Sequence, residues 1–287
     1  MPRTVVVTDS TARPVPPGAV VVDLDVVLSG APVREADTTT VVVLAAVLAG
    51  STVGTSRPSP DGFARAYADA EAAGASAVVS VHLAGALSGT VDAARLAASG
   101  TPLRVEVVDT GAVGVVLSVA VRAASALAAD GADATRVMAL AEAVTARSRT
   151  WFSPASPGQL RRGGRGGAAT RPDAPGLAAR PVLLVDGGRL VPLERTRTTA
   201  RALDRLRDLA RERLQEVASD PTTELLEVVV QHAGGQEDAA GLLRRMTQVV
   251  DASVLRVEEV GPVLAAHVGP GAVGLAVVAG PRGVRVR

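Results

Sequence analysis

Few side chains in this 287-residue chain can do chemistry. It has no cysteine, which excludes disulfides, thiol nucleophiles and thiolate metal sites. Its three histidines, His82, His232 and His267, each close a stretch that reads as a β-strand. Ligands of parallel sheets bind beyond the carboxyl ends of the strands, so all three are site candidates. A histidine in such a place also commonly satisfies a backbone group in a loop. Their spacing fits no zinc pattern, and neither a metal nor a cofactor is expected. Two hydroxyl-rich turns add to the set. Gly54-Thr55-Ser56-Arg57-Pro58-Ser59-Pro60 and Leu87-Ser88-Gly89-Thr90 each stand just before an expected helix. Hydroxyls and free N–H groups at helix starts suit an anion such as a carboxylate or phosphate, although N-capping is the plainer reading of either turn.

Three further patterns compete. A serine hydrolase would use Ser88 as nucleophile, His82 or His267 as base and Asp9 or Asp109 as orienter. However, Gly85-Ala86-Leu87-Ser88-Gly89 sets its first glycine one residue too far from the serine for a nucleophile elbow. Gly269-Pro270-Gly271-Ala272-Val273-Gly274 matches the dinucleotide fingerprint as text, but too little sequence follows for the helix, second strand and ribose-binding acid. Tight-turn glycines between strands are expected there instead. Arg161-Arg162-Gly163-Gly164-Arg165-Gly166-Gly167 is either a solvated linker or a docking surface for an acidic or nucleotide-bearing partner.

The elements that must position these groups alternate through the first half. Strands are expected at 4–7, 77–81 and 104–108. Helices are expected from Ser59-Pro60 to about Ala73, from Ser88-Gly89-Thr90 to about Gly100, and over the two long stretches that end near Asp130 and Arg147. This order implies an α/β domain with a parallel sheet covered on both faces. The character changes near Ser153, where 153–176 is rich in Pro, Gly and Arg and reads as a linker. A hairpin about Asp186-Gly187-Gly188 follows, then an amphipathic helix over 196–217, a strand at 225–230, a helix over 237–250, and strands at 254–257, 263–268 and 273–278. Two domains are therefore expected: residues 1–152 as α/β, and 153–287 as α+β with a mixed sheet.

Composition narrows the partners. The net charge of +1 gives no electrostatic reason to expect nucleic acid or a membrane surface. Lysine, isoleucine and asparagine are all absent, as a GC-rich, actinobacterial type of bacterial genome would produce. An arginine in this chain is therefore weak evidence for bidentate recognition. No signal peptide is evident, and the most apolar stretches run to roughly ten residues where a membrane span needs about 20. A soluble, cytoplasmic protein without stable membrane insertion is expected.

Taken in order, several short segments form a pattern: Val7-Thr8-Asp9-Ser10-Thr11-Ala12, Thr55-Ser56-Arg57-Pro58-Ser59, Leu87-Ser88-Gly89-Thr90, Val108-Asp109-Thr110, Leu160-Arg161-Arg162-Gly163-Gly164-Arg165, Arg180-Pro181-Val182-Leu183, Arg195-Thr196-Arg197, His232-Ala233-Gly234 and His267-Val268-Gly269-Pro270-Gly271. In this the chain resembles the DegV family of bacterial fatty-acid-binding proteins. The resemblance implies a long-chain fatty acid bound between the two domains, its carboxylate contacted by Thr55 and Ser88, with His267 close to the head group. Ser56, Arg57 and Gly89 would support that site. It further implies a non-catalytic carrier that presents the carboxylate to a separate ATP-using fatty acid kinase feeding phospholipid synthesis, with Arg162 and Arg165 in the docking loop. The sequence departs from the family where Arg57 replaces the usual Gln and where Gly166-Gly167-Ala168-Ala169 follows Arg165. The segment 27–53 also lacks the family's usual aromatic residues. A binding protein for another lipid or acidic metabolite is the alternative, with the serine hydrolase behind it.

Overall fold

The computed structural model describes residues 3–162, 164 and 180–284. Its first sheet is parallel, in the order β2-β1-β6-β7, with β1 at Thr4–Asp9, β2 at Val20–Val22, β6 at Ala77–His82 and β7 at Arg104–Asp109. The strands are apolar on both faces, and alternation sends neighbouring residues to opposite cores. Val6 and Val79 pack under α4 (Val115–Ala129) and α5 (Ala134–Arg147). Val7 and Val78 pack against Phe63 and Tyr67 of α2 (Pro60–Ala72) and Ala94 of α3 (Thr90–Ala98). Helix α2 starts as its sequence dictates: Pro60 holds the first helical position and the Ser59 hydroxyl accepts from Gly62 N–H.

The second sheet is mixed and six-stranded, in the order β10-β9-β8-β13-β11-β12. Its strands are β8 (Arg149–Ser153), β9 (Arg180–Asp186), β10 (Arg189–Thr196), β11 (Thr223–Ala233), β12 (Leu255–Glu259) and β13 (Ala272–Pro281). Helices α7 (Thr199–Ser219) and α8 (Gln236–Met246) bury Leu206, Ala210, Leu242 and Met246 against one face. The other face, with Val229, Ala276 and Val278, packs on Val115 and Val119 of α4 and Val144 of α5, so the two domains share a core. The β9–β10 turn has Gly187 and Gly188 at φ 51° and 75°, the left-handed pair a two-residue hairpin requires. Gly188 is doubly constrained, because a Cβ there would meet the Ala84 methyl at 2.5 Å. The hairpin tip thus rests on the loop that follows β6.

A third, antiparallel sheet of order β4-β3-β5 was not expected from the sequence. It comprises β3 (Asp25–Leu28), β4 (Ala31–Arg34) and β5 (Val53–Ser56), and α1 (Thr40–Leu48) crosses between β4 and β5. Two further expectations are corrected. Residues 263–268 are not a strand but most of helix α9 (Pro262–Val268), so His267 lies in a helical last turn. Valine-rich composition favours a strand, but Pro262 presets the first turn and the buried Glu35 carboxylate accepts from Val263 N–H. Within 153–176, which reads as a loop, Ser153 ends strand β8 and Pro157–Arg162 form helix α6.

Candidate functional site

Residues from both domains line one cavity of about 110 Å³ that opens to solvent. Its wall is largely apolar. Leu83 and Leu87 come from the loop after β6, Val113 from the approach to α4, Phe152 from β8, Leu160 from α6, Leu190 from β10, and Val263 and Leu264 from α9. Thr55, Ser88 and His267 all line it, although they are far apart in sequence.

Each of the three is held from behind. Thr55 lies in β5, paired with Val26, and its Oγ1 is 2.9 Å from Nε2 of His267, 212 residues away. His267 is fixed because both ends of α9 are tied. Glu35 accepts from Val263 N–H at 3.0 Å, and Gln159 of α6 donates to Ala266 O at 2.7 Å. The helix then stops at Gly269, whose φ of 75° is left-handed and whose N–H bonds to Ala265 O. Ser88 stands one residue before Gly89, the N-cap of α3, and its hydroxyl is 2.8 Å from that of Thr90. The loop carrying it is anchored by two carboxylates: Asp9 accepts from Leu83 N–H and Asp109 from Gly85 N–H.

The supporting residues divide. Ser56 is adjacent to Thr55 in an extended strand and points elsewhere, donating to Asp25 Oδ2 at 3.2 Å. Arg57 is exposed, with its guanidinium across Gly89. A Cβ on Gly89 would lie 2.6 Å from an Arg57 terminal nitrogen, so the arginine would have to shift to accommodate a side chain there. Arg162 is the last residue of α6, and Arg165 lies outside the described residues.

His82 is not part of this cavity. It is fully buried, with Nδ1 3.1 Å from Asp9 Oδ2 and Nε2 2.7 Å from Ser80 Oγ, which in turn is 2.8 Å from the Tyr67 hydroxyl. Burial pushes the Tyr67 phenol up to about 12, so it stays protonated. Asp9, His82 and Ser80 thus have the connectivity of a hydrolytic triad but no access to a substrate. Ser88, the nucleophile a hydrolase would use, has Thr90 rather than a histidine as its partner. His232, near the end of β11, pairs in register with Val273, and its carbonyl accepts from Val260 N–H. Among the described residues no cluster of histidine, aspartate and glutamate could hold a metal ion, and no helix is long and apolar enough to cross a membrane. Sequence reasoning missed Glu35, which ties α9 in place, and Gln231, which lines the cavity. Neither belongs to a motif, and only the register of the folded chain reveals them.

Comparison with known proteins places this architecture. The model of the DegV family, described as an uncharacterised protein family, matches residues 3–280. The chain belongs to the DegV family. Among its relatives, a DegV domain-containing protein of Streptomyces coelicolor is 38% identical over 226 residues, covering 78% of each chain. One from Deinococcus radiodurans is 35% identical over 222 residues, covering 77% of this chain and 76% of the other. Among solved structures, a DegV family protein from Thermus thermophilus, described as fatty acid binding, superimposes with a TM-score of 0.86 at 32% identity, covering 97% of this chain and 99% of that one. DegV from Bacillus subtilis, at 23% identity, shares the fold with a TM-score of 0.81, covering 97% of this chain and 99% of that one. The two-domain DegV fold is thus common to this chain and both structures.

Proposed function

We propose that this DegV family member is a non-catalytic carrier of a long-chain fatty acid. Its carboxylate meets Thr55, Ser88 and His267, and its tail fills the apolar cavity. One observation carries the reading: Thr55, Ser88 and His267, from separate elements, line one largely apolar cavity between the domains, with Thr55 and His267 in direct contact. The fatty acid binding described for the Thermus thermophilus relative supports it. A carboxylate leaving water needs donors, and two hydroxyls and an imidazole can supply them without a buried lysine. The tail supplies affinity. At about 0.8 kcal/mol per buried methylene, ten methylenes give on the order of 8 kcal/mol before ordering costs are subtracted. Arg57, exposed and lying across Gly89, adds positive charge beside Ser88.

In this reading the bound carboxylate is presented to a separate ATP-using kinase, and the carrier needs no nucleophile because the carboxylate oxygen itself attacks the terminal phosphorus of ATP, the bond to the bridging oxygen breaking and ADP leaving. The basic segment around Arg162 and Arg165 is the proposed docking surface. Native mass spectrometry of the purified protein should show a fatty acid that leaves on extraction and can be reloaded. Thr55→Ala with Ser88→Ala should weaken reloading about tenfold or more, whereas wild-type-like loading contradicts the head-group assignment. With a fatty acid kinase and ATP, Arg162→Ala and Arg165→Ala together should lower acyl phosphate formation while leaving fatty acid affinity unchanged.

A further inference from the structure

Three further polar side chains, Thr150, Gln231 and His232, line the cavity and take no part in holding the carboxylate. Gln231 of β11 is 7% exposed, lines the cavity, and among the described residues makes no side-chain hydrogen bond. Its amide lies at the start of α4: a Cβ added to Gly114 would be 3.1 Å from Gln231 Nε2 and 3.2 Å from Leu264 Cδ1. Gly114 is the N-cap of the 15-residue helix α4 and offers no capping side chain, so the first-turn N–H groups add positive potential in the same corner. In register, Gln231 faces Gly274, which faces Phe152, and all three line the cavity. A Cβ on Gly274 would lie 3.2 Å from Trp151 O and 3.3 Å from Phe152 Cβ, so the wall carries no side chain between Phe152 and Gln231.

An unsubstituted tail lying there would seal this amide against hydrocarbon, which is unfavourable for a group without a partner. We infer that the cavity selects acyl chains bearing a hydroxyl group part-way along the tail, received by the Gln231 amide; this rests on the fatty-acid reading above. The amide presents a donor at Nε2 and an acceptor at Oε1, and a hydroxyl answers both. A keto oxygen answers only the donor, and a carbon–carbon double bond answers neither. Leu264, which neighbours the amide, lies one helical turn before His267. The matching hydroxyl is therefore in the carboxyl-proximal part of the chain, not at its methyl end.

The test is a binding series on delipidated protein with palmitic acid and monohydroxy palmitic acids carrying the hydroxyl near the carboxyl end, in mid-chain or at the methyl end. The proximal isomer should bind roughly three- to tenfold more tightly than palmitic acid, the range of one neutral hydrogen bond. Gln231→Met and Gln231→Leu should abolish that preference while binding palmitic acid at least as well as the wild type, which also shows that the variants fold. Equal affinity for all the acids, or a preference that survives in both variants, overturns the inference and leaves the fatty-acid reading standing. Failure of every acid to bind overturns both.

Discussion

His82 and His267 carry the same imidazole in opposite settings. His82 is sealed in the first domain, with Asp9 on one ring nitrogen, Ser80 on the other, and the ring of Phe63 edge-on at 4.9 Å. His267 sits in the last turn of α9 and faces a cavity, with Thr55 on Nε2. The buried site has the better triad connectivity, yet every polar atom in it serves the fold. Asp9 also accepts from Leu83 N–H and from the Thr11 N–H and hydroxyl, and so ties the ends of β1 and β6 together. The half-buried site has an apolar cavity beside it. A hydrogen-bond pattern alone therefore does not identify a working site, and access to a ligand-sized space decides between the two.

The sharpest way to break this comparison is at Asp9. Asp9→Ala strands the His82 Nδ1 and the N–H groups of Leu83 and Thr11 in the interior, and should cost about 3 kcal/mol or more in urea unfolding. Ser80→Ala should cost about 1–2 kcal/mol, and no fluorophosphonate probe should label Ser80 or Ser88 in the wild type. At the other histidine the expectation reverses. Thr55→Val should change stability by less than about 1 kcal/mol but weaken fatty acid binding about tenfold by titration.

The smallest effect sharpens how His267 is held. Glu35 is almost wholly buried, and burial pushes its carboxyl above the ordinary glutamate value, against hydrogen bonds from Ser10 and Val263 and the charge of Arg13. A carboxyl raised on folding binds its proton more tightly in the folded state. Its contribution therefore favours folding on the acid side, and that part of the stability falls as pH rises from the ordinary glutamate value through the raised one. Glu35→Gln should remove this slope. Unfolding free energies for the two proteins across mildly acidic to neutral pH should show the variant gaining on the wild type as pH rises.

Much of the first domain was legible because its signals are local. Ser59-Pro60 starts α2, and the apolar runs of β1 and β6 can only be buried on both faces. The segments that resemble the DegV family singled out Thr55, Ser88 and His267, which share one cavity. What escaped depends on partners distant in sequence. Residues 263–268 became a helix through a cap from Glu35, 228 residues away. Arg149–Ser153 follows α5 with no glycine or proline to mark the change, and is a strand because β13 and β9 flank it. Gln231 beside His232 looks like any strand residue until the pairing with Gly274 and the approach of Gly114 set it in the cavity wall.

The central claim is that Thr55, Ser88 and His267 recognise a carboxylate at the head of an apolar cavity. It is tested most directly by comparing the affinities of palmitic acid and 1-hexadecanol for the wild type and for Thr55→Val/His267→Phe. The account predicts that the wild type prefers the acid by about tenfold or more, and that the variant binds both ligands alike through the tail. An undiminished preference for the acid in the variant would contradict it.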